Sequence, residues 1–265
     1  MAAGSILNNI SALSASRNLG ITQSGLDKTI GRLTTGMRIN KAQDDAAGLA
    51  ISNRLGADIR VSAQARRNAM DGISYLQVAD GALDEVTNLL TRASELAEQA
   101  RTGTITSTNR KALDLEFQVI KDAIKNVGDN ANFNAEKVFT ATSKFVAVAS
   151  FTNVDFTIGT MTGYMTGSIT DTNSASAAMV ELDGLIQAVS MQRATIGSRQ
   201  QYLTTISNTL GIQVENFTSA NSTIRDANIA DEVINLTKFQ ILTQSGTSAL
   251  AQSNQAAQSM LGLLR

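Results

Sequence analysis

Residues 76–100 read LQVADGALDEVTNLLTRASELAEQA. Leu76, Leu83, Leu90 and Ala97 occupy one heptad position, and Ala79, Val86, Ala93 and Ala100 occupy the other. Every one of these consecutive positions is apolar, the pattern of a helix that buries one seam against a partner helix. The alanines among them predict close approach of the two backbones. The second half of the chain answers this stripe: Leu182, Val189, Ile196, Leu203, Leu210, Phe217 and Ile224 follow one another in steps of seven. They predict a helix of roughly 45 residues, which needs a partner, and the 76–100 seam is the natural one.

Outward from this pair, both ends of the chain also read as amphipathic rods. In residues 5–35, Ile6, Ile10 and Leu13 are spaced by four and three, Leu26, Ile30 and Leu33 repeat that spacing, and Leu19, Leu26 and Leu33 recur every seven. Gly20, Gly25 and Gly31 each weaken such a helix by about 1 kcal/mol relative to Ala, so it calls for a partner. Residues 229–264 carry Val233, Leu236, Ile241, Leu242, Leu250, Met260, Leu261, Leu263 and Leu264. Ser, Gln, Asn and Ala fill much of the space between them, a surface able to pack on neighbouring copies. The apolar pattern runs to Leu264, so the terminus is expected to be buried.

The remaining segments punctuate these rods. GMRINKAQDD (36–45) reads as a break, with helix resuming at Ala46, and residues 101–109 read as a turn. A further helix is predicted over 110–128, with Leu113, Phe117, Ile120, Ile124 and Val127 on one face and Gly128 as its stop. Residues 130–175 are rich in Thr, Ser and Phe, and FVAV (145–148) and VDFTI (154–158) read as short strands. The predicted fold is mainly α, an elongated helical hairpin or coiled-coil bundle with a small β-containing insert at its tip. It divides into an inner terminal coiled coil (1–40 with 225–265), a helical bundle core (41–138 with 176–224) and a short variable insert (139–175).

Composition narrows the chemistry. The chain is 43% hydrophobic but only 4% aromatic and has no Trp, which suits thin helix–helix seams better than a thick core. Pro is absent, so nothing imposes a proline kink. Without Cys or His the chain has no disulfide, no thiolate or imidazole metal site and no histidine base. No cofactor is expected, and no phosphate-binding glycine loop or EF-hand occurs. A net charge of −1 with no polybasic block argues against nucleic acid. No charged region followed by an apolar run marks the start as a signal peptide, and no apolar stretch reaches membrane-spanning length. A secreted chain of this kind would leave the cell by a route that reads another signal.

Candidate residues follow the same logic. Asp44 and Asp45 are adjacent and lack nearby metal-ligand partners, so they read as caps for the helix that begins near Ala46. Arg38, Asn40, Lys41 and Asp44 are also placed to contact neighbouring subunits. Gly36 reads as a linker and Gly48 as a site of tight packing. Ser24, Asp27 and Lys28 sit on a rod with no evident pocket and carry no catalytic reading. The Ser and Thr residues of 140–176 read as a solvated insert, with O-linked modification as the functional alternative. A two-helix arm exposes more apolar edge than it buries alone, so Ile6, Ile10, Leu13, Leu26, Leu33, Ile241, Leu250, Leu261 and Leu264 read as an assembly interface between copies.

Three stretches carry a family resemblance. TTGMRINKAQDDAAGLAISNR (34–54), continued by RNAMDGISYLQ (67–77), resembles the N-terminal signature of bacterial flagellins. QILTQSGTSALAQSNQ (240–255) with LGLLR (261–265) resembles their C-terminal signature. The resemblance spans roughly 1–135 and 180–265. It implies a secreted, non-enzymatic subunit that polymerises with itself into the extracellular flagellar filament for swimming motility. The paired termini would line the central channel and the middle helices form the next layer. It also implies as partners a cytoplasmic export chaperone, the type III export apparatus, a filament cap and hook–filament junction proteins. A flagellin-like junction protein and a soluble coiled-coil adaptor are the competing readings. LTRASELAEQ (90–99) resembles the helix that contacts the animal innate immune receptor for flagellin, which implies Arg92, Leu96 and Glu116 as contacts.

Overall fold

With no proline along the chain, long helices meet few local obstacles, and helix dominates the computed structural model, which describes residues 9–149, 152–159 and 165–263. In chain order the elements are α1 (Ile10–Thr35), α2 (Ala46–Arg101), α3 (Ser107–Asn130), β1 (Asn132–Phe133), β2 (Glu136–Lys137), β3 (Thr140–Ala149), β4 (Thr152–Ile158), α4 (Thr172–Arg225) and α5 (Ile229–Leu263). No described helix is long and apolar enough to cross a membrane.

Side chains start these helices where the first backbone N–H groups lack intrahelical partners. The Asn9 side chain accepts from Ala12 N at 3.0 Å at the head of α1, and Asp45 accepts from Gly48 N at 2.9 Å at the head of α2. Thr106 caps α3, and Asp171 accepts from Asn173 N and Ser174 N at 2.9 and 3.0 Å at the start of α4. At the far end of α2, Arg110 reaches back from α3. Its Nε donates to Ala100 O at 2.7 Å, a carbonyl at the end of α2 that the helix leaves free, and its Nη2 donates to Ile105 O in the following turn at 3.1 Å.

The chain divides into two compact units, Met1–Asp58 with Asn216–Arg265, and Ile59–Glu215. This division falls inside α2 and α4, whereas the sequence-based boundaries stand at 40/41 and 224/225.

The second unit owns the main core. All eight heptad residues between Leu76 and Ala100 are fully buried, and Leu182, Val189, Ile196, Leu203 and Leu210 of α4 are buried with them. Phe117, Ile120 and Ile124 of α3 join this cluster, with Leu113 and Val127 packed at its edge. Arg193 of α4 forks onto two carboxylates of α2 one turn apart, Asp80 at 2.9 Å and Asp84 at 2.8 Å. Gly128 does not stop α3, contrary to the sequence reading. The helix runs through this buried glycine to Asn130, and Ala131 donates the last turn's hydrogen bond to Val127 O at 3.0 Å.

The insert is two antiparallel hairpins. β3 pairs with β4 in a register interrupted between Thr140 and Lys144 and between Ala147 and Ala149. Sequence reading missed the smaller β1–β2 hairpin. Phe133 pairs with Glu136, and Asn134 and Ala135 between them take φ of 50° and 63°. The usual residue for the second of these positions is glycine, so the turn carries no strong sequence mark. Tyr75 anchors the insert: its hydroxyl donates to Val138 O at 3.1 Å, and its ring lies 5.6 Å from Phe133 and 5.5 Å from Phe156. Gly72 provides the room, since a Cβ there would stand 2.6 Å from Val146 Cγ2.

Candidate functional site

The first unit is built around α1 and α5, which run antiparallel. Asn9 Nδ2 donates to Ser253 O at 3.2 Å, a Cβ on Gly246 would lie 3.3 Å from Leu19 Cδ1, and Arg32 Nη1 meets Glu232 Oε1 at 3.0 Å. Between these points Gly25 lets the helices close, because a Cβ there would come within 2.6 Å of Phe239 Cζ. The heptad residues Leu19, Leu26 and Leu33 face this seam yet are only half-buried, as is Leu250. Two helices alone do not enclose them.

The outer faces are more open still. Ile10 is 71% exposed, Leu13 72% and Ile241 63%. Ile21 on α1 and Ile234 on α5 are likewise exposed and were not singled out in the sequence. Neither belongs to the seven-residue repeat, but each is a bulky apolar residue on a rod with an apolar seam on another face, and that was the available signal. Ile6 and Leu264 lie outside the described residues, as does the side chain of Leu261.

The break between α1 and α2 is held by backbone and charge together. Gly36 ends α1 in the left-handed region at φ 70°, donating to Arg32 O at 2.8 Å. The chain then pairs with the α4–α5 connection: Arg38 N donates to Arg225 O at 2.7 Å, and Ala227 N donates to Gly36 O at 2.9 Å. The Arg38 guanidinium also donates to Ile224 O at 2.8 Å. Asp44 closes the loop by accepting from Lys41 N at 3.1 Å and Asn40 N at 3.4 Å, and by pairing with Lys28 Nζ at 2.9 Å. The Lys28 hydrogen bond first, then the Lys41 N–H, hold the Asp44 carboxyl well down, from 3.8 to about 2. Gly48 is buried beneath the same loop, where a Cβ would stand 2.8 Å from Ile39 Cδ1. Arg38, Asn40 and Asp44 thus have intramolecular work here.

On the second unit, Arg92 and Glu116 are exposed and joined at 2.7 Å, with Glu95 on the other guanidinium nitrogen at 3.0 Å. These partners, Glu116 foremost, raise the Arg92 pKa above its ordinary value. Leu96 is 1% exposed, so a molecule docking on this face meets Arg92 and Glu116 but not the Leu96 side chain.

Comparison with known proteins adds to this geometry. The family profile described as "Bacterial flagellin N-terminal helical region" matches residues 6–144, and that described as "Bacterial flagellin C-terminal helical region" matches residues 179–264. The chain is 38% identical to a flagellin of Halalkalibacterium halodurans over 98% of its own length and 99% of the relative's. It is 37% identical to the flagellar filament 33 kDa core protein of Treponema phagedenis, with the same coverage of each chain. Among solved structures, it is similar to the crystal structure of Bacillus cereus flagellin, with a TM-score of 0.51 and 29% identity over 54% of this chain and 88% of that one. A putative flagellar hook-associated protein from Vibrio parahaemolyticus shares the fold alone, with a TM-score of 0.61 at 13% identity over 69% of this chain and 100% of that one.

Proposed function

Since the chain belongs to the bacterial flagellin family and is a structural subunit of the secreted, extracellular flagellar filament, we propose that its first unit is the part that other copies complete. The carrying observation is the outward apolar face that remains after α1 and α5 have paired, with Ile10, Leu13 and Ile241 the most open of the expected residues. Exposed apolar surface of this kind is removed from water by association. The buried polar atoms support the reading. Arg32 Nε, Arg225 Nε and Glu232 Oε2 have no hydrogen-bond partner among the described residues, and Glu232 is only 7% exposed. Such groups are ordinarily satisfied in the working state of a protein.

On this reading the α1–α5 pair forms an inner coiled coil lining a central channel. The partners are further copies, an export chaperone, the type III export apparatus, the filament cap and the hook–filament junction proteins. An innate immune receptor that docks on the second unit uses Arg92 and Glu116. The junction-protein alternative rests on nothing beyond a shared fold.

The test is seeded growth. Purified chain added to sheared filament fragments is expected to extend them into tubes visible by electron microscopy. The variant Ile10→Ser, Leu13→Ser, Ile241→Ser keeps the monomer's helical signal and loses extension. Extension at the wild-type rate by that variant would defeat the assignment of this face.

A further inference from the structure

Aromatic side chains are scarce in this chain, which has eight Phe and three Tyr. Tyr75, Phe133, Phe145 and Phe156 nevertheless line one open pocket of about 390 Å³ where α2 meets the β insert. That volume falls within the range of small-molecule sites. Helix spacing builds one wall. Asn68 and Gly72 are four residues apart, as are Asp71 and Tyr75, so the four share one face of α2. Residues 144–147 of β3 build the wall opposite. Gly72 lets that strand approach, since a Cβ there would stand 2.6 Å from Val146 Cγ2. The Tyr75 ring meets Phe133 at 81° and Phe156 at 42°. The rings thus stand at angles to one another and do not stack flat. Tyr75 and Phe156 are buried, but Phe145 is 63% exposed. A molecule entering the pocket therefore covers apolar surface that the chain leaves in water.

Most polar groups of the pocket are already engaged. Asn68 Nδ2 donates to Ala147 O at 2.9 Å, the Tyr75 hydroxyl donates to Val138 O at 3.1 Å, and Lys144 is ion-paired with Glu136. Asp71 differs. It is exposed and makes no hydrogen bond or ion pair among the described residues. Among the lining charges, Asp71 and Glu136 against Lys144 leave a net −1. The uncommitted charge beside the aromatic walls is thus a carboxylate. Aromatic faces are themselves electron-rich and attract cations. Both features select the same sign of ligand. An anion is repelled, and a neutral apolar molecule leaves the carboxylate unused.

We infer that this pocket binds a small organic cation, an ammonium group carried on a flat apolar body. The ammonium pairs with the Asp71 carboxylate, one helical turn from Tyr75, and the body lies against the rings with Phe145 over it. A ligand held this way touches α2 and the insert at once, so it ties the hairpin to the helix. The site lies wholly in the second unit and does not depend on how the first unit assembles.

The test is an NMR titration of the full-length monomeric chain with three probes of one size and different charge: phenethylammonium, 2-phenylethanol and 3-phenylpropionate. Phenethylammonium is expected to bind with a Kd below about 1 mM. The neutral and anionic probes are expected to bind about threefold or more weakly. Shifts should concentrate in residues 68–75 and 133–156. Asp71→Asn is expected to abolish the preference for the cation and leave 2-phenylethanol binding unchanged. Phe145→Ala is expected to weaken both of these probes about threefold or more. Both substituted side chains are exposed, and an unchanged circular dichroism spectrum checks that each variant is folded. No binding of phenethylammonium by about 10 mM, equal binding of the three probes, or a cation preference that survives Asp71→Asn overturns the inference. Shifts confined to other parts of the chain, or a folded Phe145→Ala variant that binds as wild type does, also overturn it.

Discussion

In the second unit every heptad side chain between Leu76 and Ala100 is fully buried, because α3, α4 and the β insert close over α2. In the first unit the equivalent seam residues Leu19, Leu26 and Leu33 remain half-buried, and Ile10 and Leu13 face outward. Both seams use the same period and similar residues. The number of elements that share each core separates them: several around α2, but chiefly one around α1. The difference locates intrinsic stability in one unit and dependence on neighbours in the other.

The largest expected effect sharpens that contrast. Leu83→Ala removes a fully buried side chain from the second unit and is expected to cost about 2–5 kcal/mol, read by urea denaturation of the monomer. Leu13→Ala removes the same atoms from an exposed site and is expected to stay within about 0.5 kcal/mol of wild type. Equal losses would erase the distinction. Next in size, Gly25→Leu drives a side chain into the Phe239 ring, and about 1–3 kcal/mol of destabilisation is expected. Gly20, where an added Cβ meets nothing within 4 Å, is the control, and Gly20→Ala is expected to raise helix stability by up to about 1 kcal/mol. If both glycines respond alike, the α1–α5 packing at Phe239 is wrong.

A smaller gain is expected in the insert. Ala135→Gly relieves a left-handed alanine worth about 1–2 kcal/mol and gives back about 0.4–1 kcal/mol of unfolded-state entropy. The net stabilisation expected in a thermal melt is about 0.5 kcal/mol or slightly more, and a destabilised variant would contradict the turn geometry. The mildest effect is one of pH. Asp44 is depressed in the folded chain, so its contribution is complete above about pH 4 and fades as pH falls through about 2. Carboxyl NMR titration should show the low midpoint, and Lys28→Met should move it up toward 3.8. An Asp44 that titrates at its ordinary value in the wild type would remove Lys28 from the loop's closure.

Much of this architecture was legible in the residues because a seven-residue apolar repeat states both that a helix exists and which side it buries. Leu76 to Ala100 and Leu182 to Leu210 behave that way, and Asp45 caps α2 as its position before Ala46 suggests. Three features were not legible. Gly128 read as a stop, but a glycine buried inside the last turns of α3 leaves the same mark. The Asn134–Ala135 turn lacks the glycine that usually announces it. Arg110 caps a helix from the next element, and the reach of a long side chain across a corner has no period. The candidate interface was legible only in part. Amphipathic spacing finds apolar residues, but it does not tell a half-buried Leu26 from an outward Ile10 until the number of partner helices is known.

Hydrogen exchange of the backbone amides, compared between free chain and assembled filament, tests the central claim most directly. The account predicts strong protection of the 76–100 segment in both states, with α1 and α5 exchanging readily in the free chain and gaining protection on assembly. Amides in α1 and α5 as protected in the free chain as those of 76–100, with no gain in the filament, would contradict it.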